Sequence, residues 1–190
     1  TAHGESNEMW VLTYDAALAT TSWLRVPPAG VQPPALAGAS LVLDAPRNRL
    51  VLFGGFNVTA VSSATYAFDL NTRQWSLLTP TGVVPSARWF TAAIANPAQN
   101  RIIYYGGKQN LDSLDFTTGL AGDLRILDFS GNPNGAWVAP AVVPATLPDS
   151  RMGATLGLDA SGKLWMHGGF SAASQANGQL YAFDFGSGIW

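Results

Sequence analysis

Three apolar runs in this chain end in the same pair of glycines: RLVLFGG at 49–55, RIIYYGG at 101–107 and KLWMHGG at 163–169. The pairs are Gly54–Gly55, Gly106–Gly107 and Gly168–Gly169, and their leading glycines lie 52 and 62 residues apart. Four tryptophans, Trp23, Trp75, Trp137 and Trp190, follow at spacings of 52, 62 and 53. Two unrelated markers sharing one period define a tandem repeat, and a period of this length means one supersecondary unit stacked on copies of itself.

The text between the markers repeats as well. SLVLDAPRNRLVLFGG, AAIANPAQNRIIYYGG and ATLGLDASGKLWMHGG each read as strand, turn, strand, Gly-Gly. ATYAFDLNTRQW and QLYAFDFGSGIW then give aromatic, Asp, tight turn, Trp, and DLRILDFSGNPNGAW carries the same half-unit with a longer turn. Each unit therefore offers four short runs rich in Val, Ile, Leu, Tyr and Phe, bounded by turn residues. Runs such as LVLF and RIIYY are apolar throughout, as strands covered on both faces are. A four-stranded sheet buried on both faces fits a blade between neighbouring blades, whereas a β-sandwich needs cleaner in-and-out alternation. Composition agrees: 47% apolar and 12% charged residues, with 20 Gly and 12 Pro, describe a chain of buried short strands and frequent turns.

These residues resemble the kelch repeat: four apolar residues, Gly-Gly, an aromatic near an Asp, then Trp. The resemblance runs from about Asn7 to Trp190, and PSARWFTAAIANPAQNRIIYYGG looks especially like the multi-repeat kelch proteins of bacteria, many of which are secreted. It implies an all-β, kelch-type propeller, present in part as about three and a half four-stranded blades. Residues 1–33 supply the outer two strands of an incomplete blade, 34–84 one blade, 85–147 a blade with a long loop, and 148–190 another. Kelch rings close with six or seven blades, so further blades from a parent chain, or a second copy, are expected to complete this one. Within each unit, Gly-Gly is expected where backbones pass closely and Trp as the contact between blades. Asp69, Asp128 and Asp184 are expected to cap the turn after the third strand.

The resemblance also places a binding surface at one mouth of the central channel. Arg88 in PSARWF and Arg151 in PDSRMG match the arginine that opens the innermost strand of many kelch repeats, and Ala37 stands there in the first whole blade. In some relatives such arginines hold acidic peptides; the structural alternative is that they bond backbone carbonyls of the next blade. Residues directly after Gly-Gly complete the expected surface: Phe56, Asn57, Lys108, Gln109, Phe170 and Ser171. The long loop at 108–123 is the expected source of partner choice. Asp112, Asp115 and Asp123 within it lack calcium-loop spacing and read as solvated carboxylates.

Several chemistries find no support. The net charge is −2 and Lys108 and Lys163 are the only lysines, so no basic stripe exists for nucleic acid. No apolar run is long enough to span a bilayer, and the opening TAHGESNE lacks the marks of a signal peptide. A galactose-oxidase-like copper site needs two His, a Tyr and a Cys-linked Tyr; with no Cys, and with only His3 and His167 at a spacing that supports no shared site, it finds no support. No catalytic fingerprint, metal site or cofactor motif appears. The chain thus reads as a protein- or peptide-binding scaffold. A carbohydrate-binding or carbohydrate-active propeller and a structural segment of a surface protein are the alternatives. The compartment is unspecified, with a lean toward the secreted or cell-surface setting of the bacterial relatives.

Overall fold

The computed structural model describes residues 6–112, 115, 117–143, 147–172, 175–176 and 178–190. His3 lies outside the described residues. Strands β1 (Met9–Asp15) and β2 (Thr20–Val26) form an antiparallel hairpin. Next, β3 (Ser40–Asp44), β4 (Arg49–Phe53), β5 (Thr65–Asp69) and β6 (Gln74–Leu78) make one antiparallel sheet, paired in chain order. After β7 (Thr81–Gly82), the order repeats with β8 (Ala92–Asn96), β9 (Arg101–Tyr105), β10 (Leu124–Asp128) and β11 (Ala136–Val138). The short strand β12 (Arg151–Met152) precedes β13 (Thr155–Leu158) and β14 (Leu164–His167). Then come β15 (Phe170–Ser171), β16 (Gln175–Ala176) and β17 (Leu180–Phe183). Strands β13, β14 and β17 form the last sheet, and an Asp184–Ile189 bridge starts its fourth strand. Among the described residues the helical segments are two 3-10 turns, and no helix is long and apolar enough to cross a membrane.

The doubly apolar runs do what their pattern requires. In β9, Ile102 and Tyr104 pack on Val51, Phe53, Ala67 and Leu78 of the preceding sheet. Their neighbours Ile103 and Tyr105 face the other way, onto Leu164, Met166 and Phe183 of the following sheet. One strand thereby serves two cores, which is why its sequence shows no polar alternation. Strands β3, β8 and β13 sit innermost and together line a cavity of about 340 Å³ through Ser40, Val42, Ala92, Ala93, Ala154 and Thr155. Sheets fanned about such an axis make a propeller arc.

The first two Gly-Gly pairs sit at joints between blades, while Gly169 packs on Met152 and Ala154 of its own blade. Gly54 and Gly106 have φ of +74° and +67°, and a Cβ on either would fall 2.3 or 2.2 Å from the carbonyl oxygens of Arg88 and Arg151 in the next blade. No side chain fits there. The second glycine of these two pairs completes the joint, with Gly55 N–H donating to Arg88 O at 2.9 Å and Gly107 N–H to Arg151 O at 2.8 Å. On the opposite rim, Arg47 and Arg49 both lie over the ring of Phe129, at 4.9 and 4.7 Å, and both pair with the buried Asp44. Arg101 repeats the device over Phe185 at 4.2 Å. Such cation–π contacts contribute about 0.5–2 kcal/mol each.

The tryptophans all point toward the preceding blade. Trp75 packs with Val26 and Phe68, Trp137 with Phe53 at 4.9 Å and Tyr104, and Trp190 with Tyr105 and Phe183. Trp23 departs from the expected role: it is 66% exposed. The reason is directional, since the face toward which Trp23 points is covered by no element among the described residues. Leu41 and Leu43 on β3 are exposed on the same side of their own sheet for want of inner strands beside β1.

The aspartates close the turns after each third strand. Asp69 Oδ1 accepts the N–H groups of Asn71 and Thr72, Asp128 that of Ser130, and Asp184 those of Gly186 and Ser187. The N–H of Thr72 above all holds the Asp69 carboxyl below its usual range, and that of Ser187 does the same for Asp184.

Candidate functional site

One rim of the arc carries tight turns: β3–β4, β8–β9 and the turns capped by aspartate. The other carries the segments after each Gly-Gly and the linkers between blades, including the long loop from Lys108 to Asp123. A three-stranded collar recurs there. Ala37 pairs with Phe56 and Phe56 with Val61; Trp89 pairs with Lys108 and Lys108 with Leu120; β12 pairs with β15 and β15 with β16. The collar ties the segment after each Gly-Gly to the start of the innermost strand, giving the loops above it a defined starting point.

This register corrects one equivalence. Ala37 aligns with Trp89 and Met152, so the residue of the first whole blade that matches Arg88 and Arg151 is Leu36, one place earlier.

The expected charged surface is largely internal. Arg88 is 2% exposed and donates to Gly106 O at 3.1 Å, to Ser86 O at 3.0 Å and Oγ at 2.8 Å, and to both oxygens of Asp123. Arg151 is 0% exposed, donates to Asp149 O, Gly168 O and Tyr181 Oη, and lies 4.8 Å over the Tyr181 ring. Both guanidiniums bind the first Gly carbonyl of their own blade, not of the next, and bring the start of the innermost strand onto the end of the second. Burial raises the Asp123 pKa, but the hydrogen bonds from Arg88 and Arg125 outweigh it and the net shift is downward. Lys108, also fully buried, donates its ammonium to the carbonyls of Asp115 and Thr118 and so pins the long loop. Asp115 is held at about 2, chiefly by the Thr117 hydroxyl. Ser171 is buried, its backbone paired with Arg151.

What remains at the surface is of another character. Phe56 and Asn57 are half-buried, Asn57 Oδ1 accepting the N–H groups of Thr59 and Ala60 in its own turn. Gln109 is exposed with its amide on Ser86 Oγ, and Phe170 is exposed. Phe56 stacks on the buried Trp89 at 4.4 Å, and Trp89 on Phe90 at 4.8 Å. Phe90, 47% exposed, was not singled out from the sequence. The signal that finds it is alignment: Gly38 and Gly153 occupy its place in the other two blades. Among the described residues no cluster of three or more His, Asp or Glu side chains forms a metal site.

Sheets of four strands fanned about a channel, sealed by Gly-Gly and Trp and bearing all long loops on one rim, define a repeat propeller. The chain belongs to the kelch-repeat family: the family model for the KLHDC2/KLHL20/DRC7 Kelch-repeats domain matches residues 1–190. Kelch repeats generally mediate protein–protein interaction. Similar proteins include the flagellar outer-arm dynein alpha chain of Chlamydomonas reinhardtii, 38% identical over 113 residues, 57% of this chain. Another is multiple epidermal growth factor-like domains protein 8 of Mus musculus, 30% identical over 173 residues, 87% of this chain. The chain spans only 2% and 6% of the length of these two relatives.

Proposed function

We propose that this kelch arc is a protein-binding scaffold whose partner sits on the loop-bearing mouth of the channel. The asymmetry between the two rims supports this most directly. Turns at one rim are short, the longest joining β10 to β11, while the other rim mounts the long loop on a collar held by buried Lys108, Arg88 and Arg151. Loops held by a rigid scaffold are where binding concentrates. Acidic partners are the less favoured class, because the three cations nearest the mouth are buried and engaged within the blades.

The arc works together with further blades. Its two outer faces expose Trp10, Leu12 and Trp23 at one side and Trp165 and Leu180 at the other, patches that stacked blades cover elsewhere in the arc. Static light scattering on the isolated chain is expected to show association through these faces. A cooperative, monodisperse monomer refutes that part of the reading.

A photo-crosslinking residue tests the partner's place. Placed at Gln109 or Phe170, it is expected to capture a partner protein. Placed at Gln99 or Ser161 on the short-turn rim, it is expected to capture none. The reverse pattern overturns the assignment of the binding face.

A further inference from the structure

We propose that Phe90 is the anchor of the mouth, its ring receiving an aliphatic or aromatic side chain from the bound protein segment. The proposal rests on the reading of the mouth as the binding face and adds the chemistry of what is bound.

Phe90 is a backbone outlier. Gly38, Phe90 and Gly153 are equivalent residues of consecutive blades, linked around the mouth by Phe90 N–H donating to Gly38 O and Gly153 N–H to Phe90 O, both at 2.8 Å. All three are left-handed, with φ of +65°, +50° and +64°. Glycine takes this conformation freely, whereas a Cβ-bearing residue meets its own carbonyl there. Two sister blades show that the fold is satisfied by glycine. A phenylalanine at this place is therefore not explained by the backbone, and strain of this kind collects at functional sites.

The ring's surroundings say what it does. A Cβ on Gly38 would lie 3.2 to 3.3 Å from the Phe90 ring, so the ring rests on the one neighbouring residue that leaves room for it. Behind it stands Trp89, backed in turn by Phe56. The space beside Gly153 is open, with nothing within 4 Å of where a Cβ would be. Phe90 thus keeps one ring face braced and nearly half its surface toward solvent. A braced, exposed aromatic next to a gap is the arrangement in which interface anchors carry most of the energy. The cations nearest the mouth, Arg88, Lys108 and Arg151, are engaged inside the blades, so they are not offered to a charged ligand. A sugar ring also stacks on aromatics, but it needs polar side chains around its edge, and the ring is braced by Gly38 and Trp89.

The test uses the whole chain, isotopically labelled, with three blocked heptapeptides of Gly and Ser carrying a central Trp, Leu or Asp, and with a methyl galactoside. Expected are amide shifts at Gly38, Phe90 and Gly153 with the Trp and Leu peptides and none with the Asp peptide or the sugar. Phe90→Gly is expected to weaken the Trp peptide by about tenfold or more, the range of a lost hot spot, while its melting temperature stays level or rises. A lowered melting temperature, or unchanged peptide binding, makes the ring a packing residue and overturns the proposal. If the Asp peptide or the sugar shifts Asn57 and Gln109 regardless of Phe90→Gly, the mouth stands as the binding face and the apolar anchor falls. If the apolar peptides shift only Leu41 and Leu43, both readings fall.

Discussion

Replacing Arg88 by leucine copies the residue that the first whole blade carries at the same place, Leu36, and it exposes what the guanidinium is for. In the native blade Arg88, itself 2% exposed, fastens Ser86, Gly106 and Asp123 together. Removing one member of a buried ion pair costs about 3–5 kcal/mol when the other is left uncompensated. Asp123 is not left bare: its side chain is 32% exposed and retains Arg125, so solvent and the second pair lower the electrostatic part. Against that, the carbonyls of Gly106 and Ser86 lose a donor, at about 1 kcal/mol each. The expected destabilisation is about 2–4 kcal/mol. At about 2–4 °C per kcal/mol for a chain of this size, the melting temperature falls by roughly 5–15 °C. Differential scanning calorimetry of the wild type, Arg88→Leu, Asp123→Asn and the double variant gives the coupling, expected above about 1 kcal/mol because the two groups share one network. A change under about 0.5 kcal/mol in Arg88→Leu, the range of an ordinary surface substitution, would refute the structural role and return the guanidinium to the ligand.

Other outcomes follow from the joints and the carboxylates. Phe129→Leu keeps most of the apolar contact but removes the ring beneath Arg47 and Arg49, so chemical denaturation should show a loss of about 1–3 kcal/mol with unchanged denaturant slope. The net downward shift of Asp123 means its folded state favours the charged form. Its contribution is present above the unfolded value of about 3.9 and disappears as pH falls through the lower folded value. Thermal melts should therefore lose stability on acidification below about pH 4, and Asp123→Asn should flatten that limb. Asp159, held at about 2 first by the Ser161 hydroxyl and then by the Trp165 indole, should titrate by NMR near that value, with the Trp165 Nε1–H resonance following it.

The architecture was legible because its markers are backbone requirements. Gly54 and Gly106 meet a carbonyl of the next blade at a distance that excludes any side chain, so the repeat announces itself wherever blades meet. The double-faced strand Arg101–Tyr105 was readable for the same reason, as both its neighbours demand apolar residues. A quieter signal passed unread: Pro28-Ala29-Gly30-Val31 and Pro80-Thr81-Gly82-Val83 repeat, and each lays its linker beside a tryptophan of the next blade, Gly30 by Trp75 and Gly82 by Trp137. The binding surface was less legible. Arg88 and Arg151 look alike in sequence whether their guanidiniums face a ligand or a carbonyl, and only the fold brings Asp123 and Tyr181 beneath them. Phe90 was hidden because its meaning lies in the sign of φ, which no residue type spells out. Trp23 was misjudged because an indole's burial depends on the blade before it.

The amides of Gly55 and Gly107 test the stacking of blades most directly, since each donates across a joint to Arg88 O or Arg151 O. In native-state hydrogen exchange both are predicted to be protected to the level of the β9 core amides, such as Ile103, although they lie at strand ends where turns exchange freely. Exchange at the rate of exposed turn amides would contradict the propeller joint and the arrangement built on it.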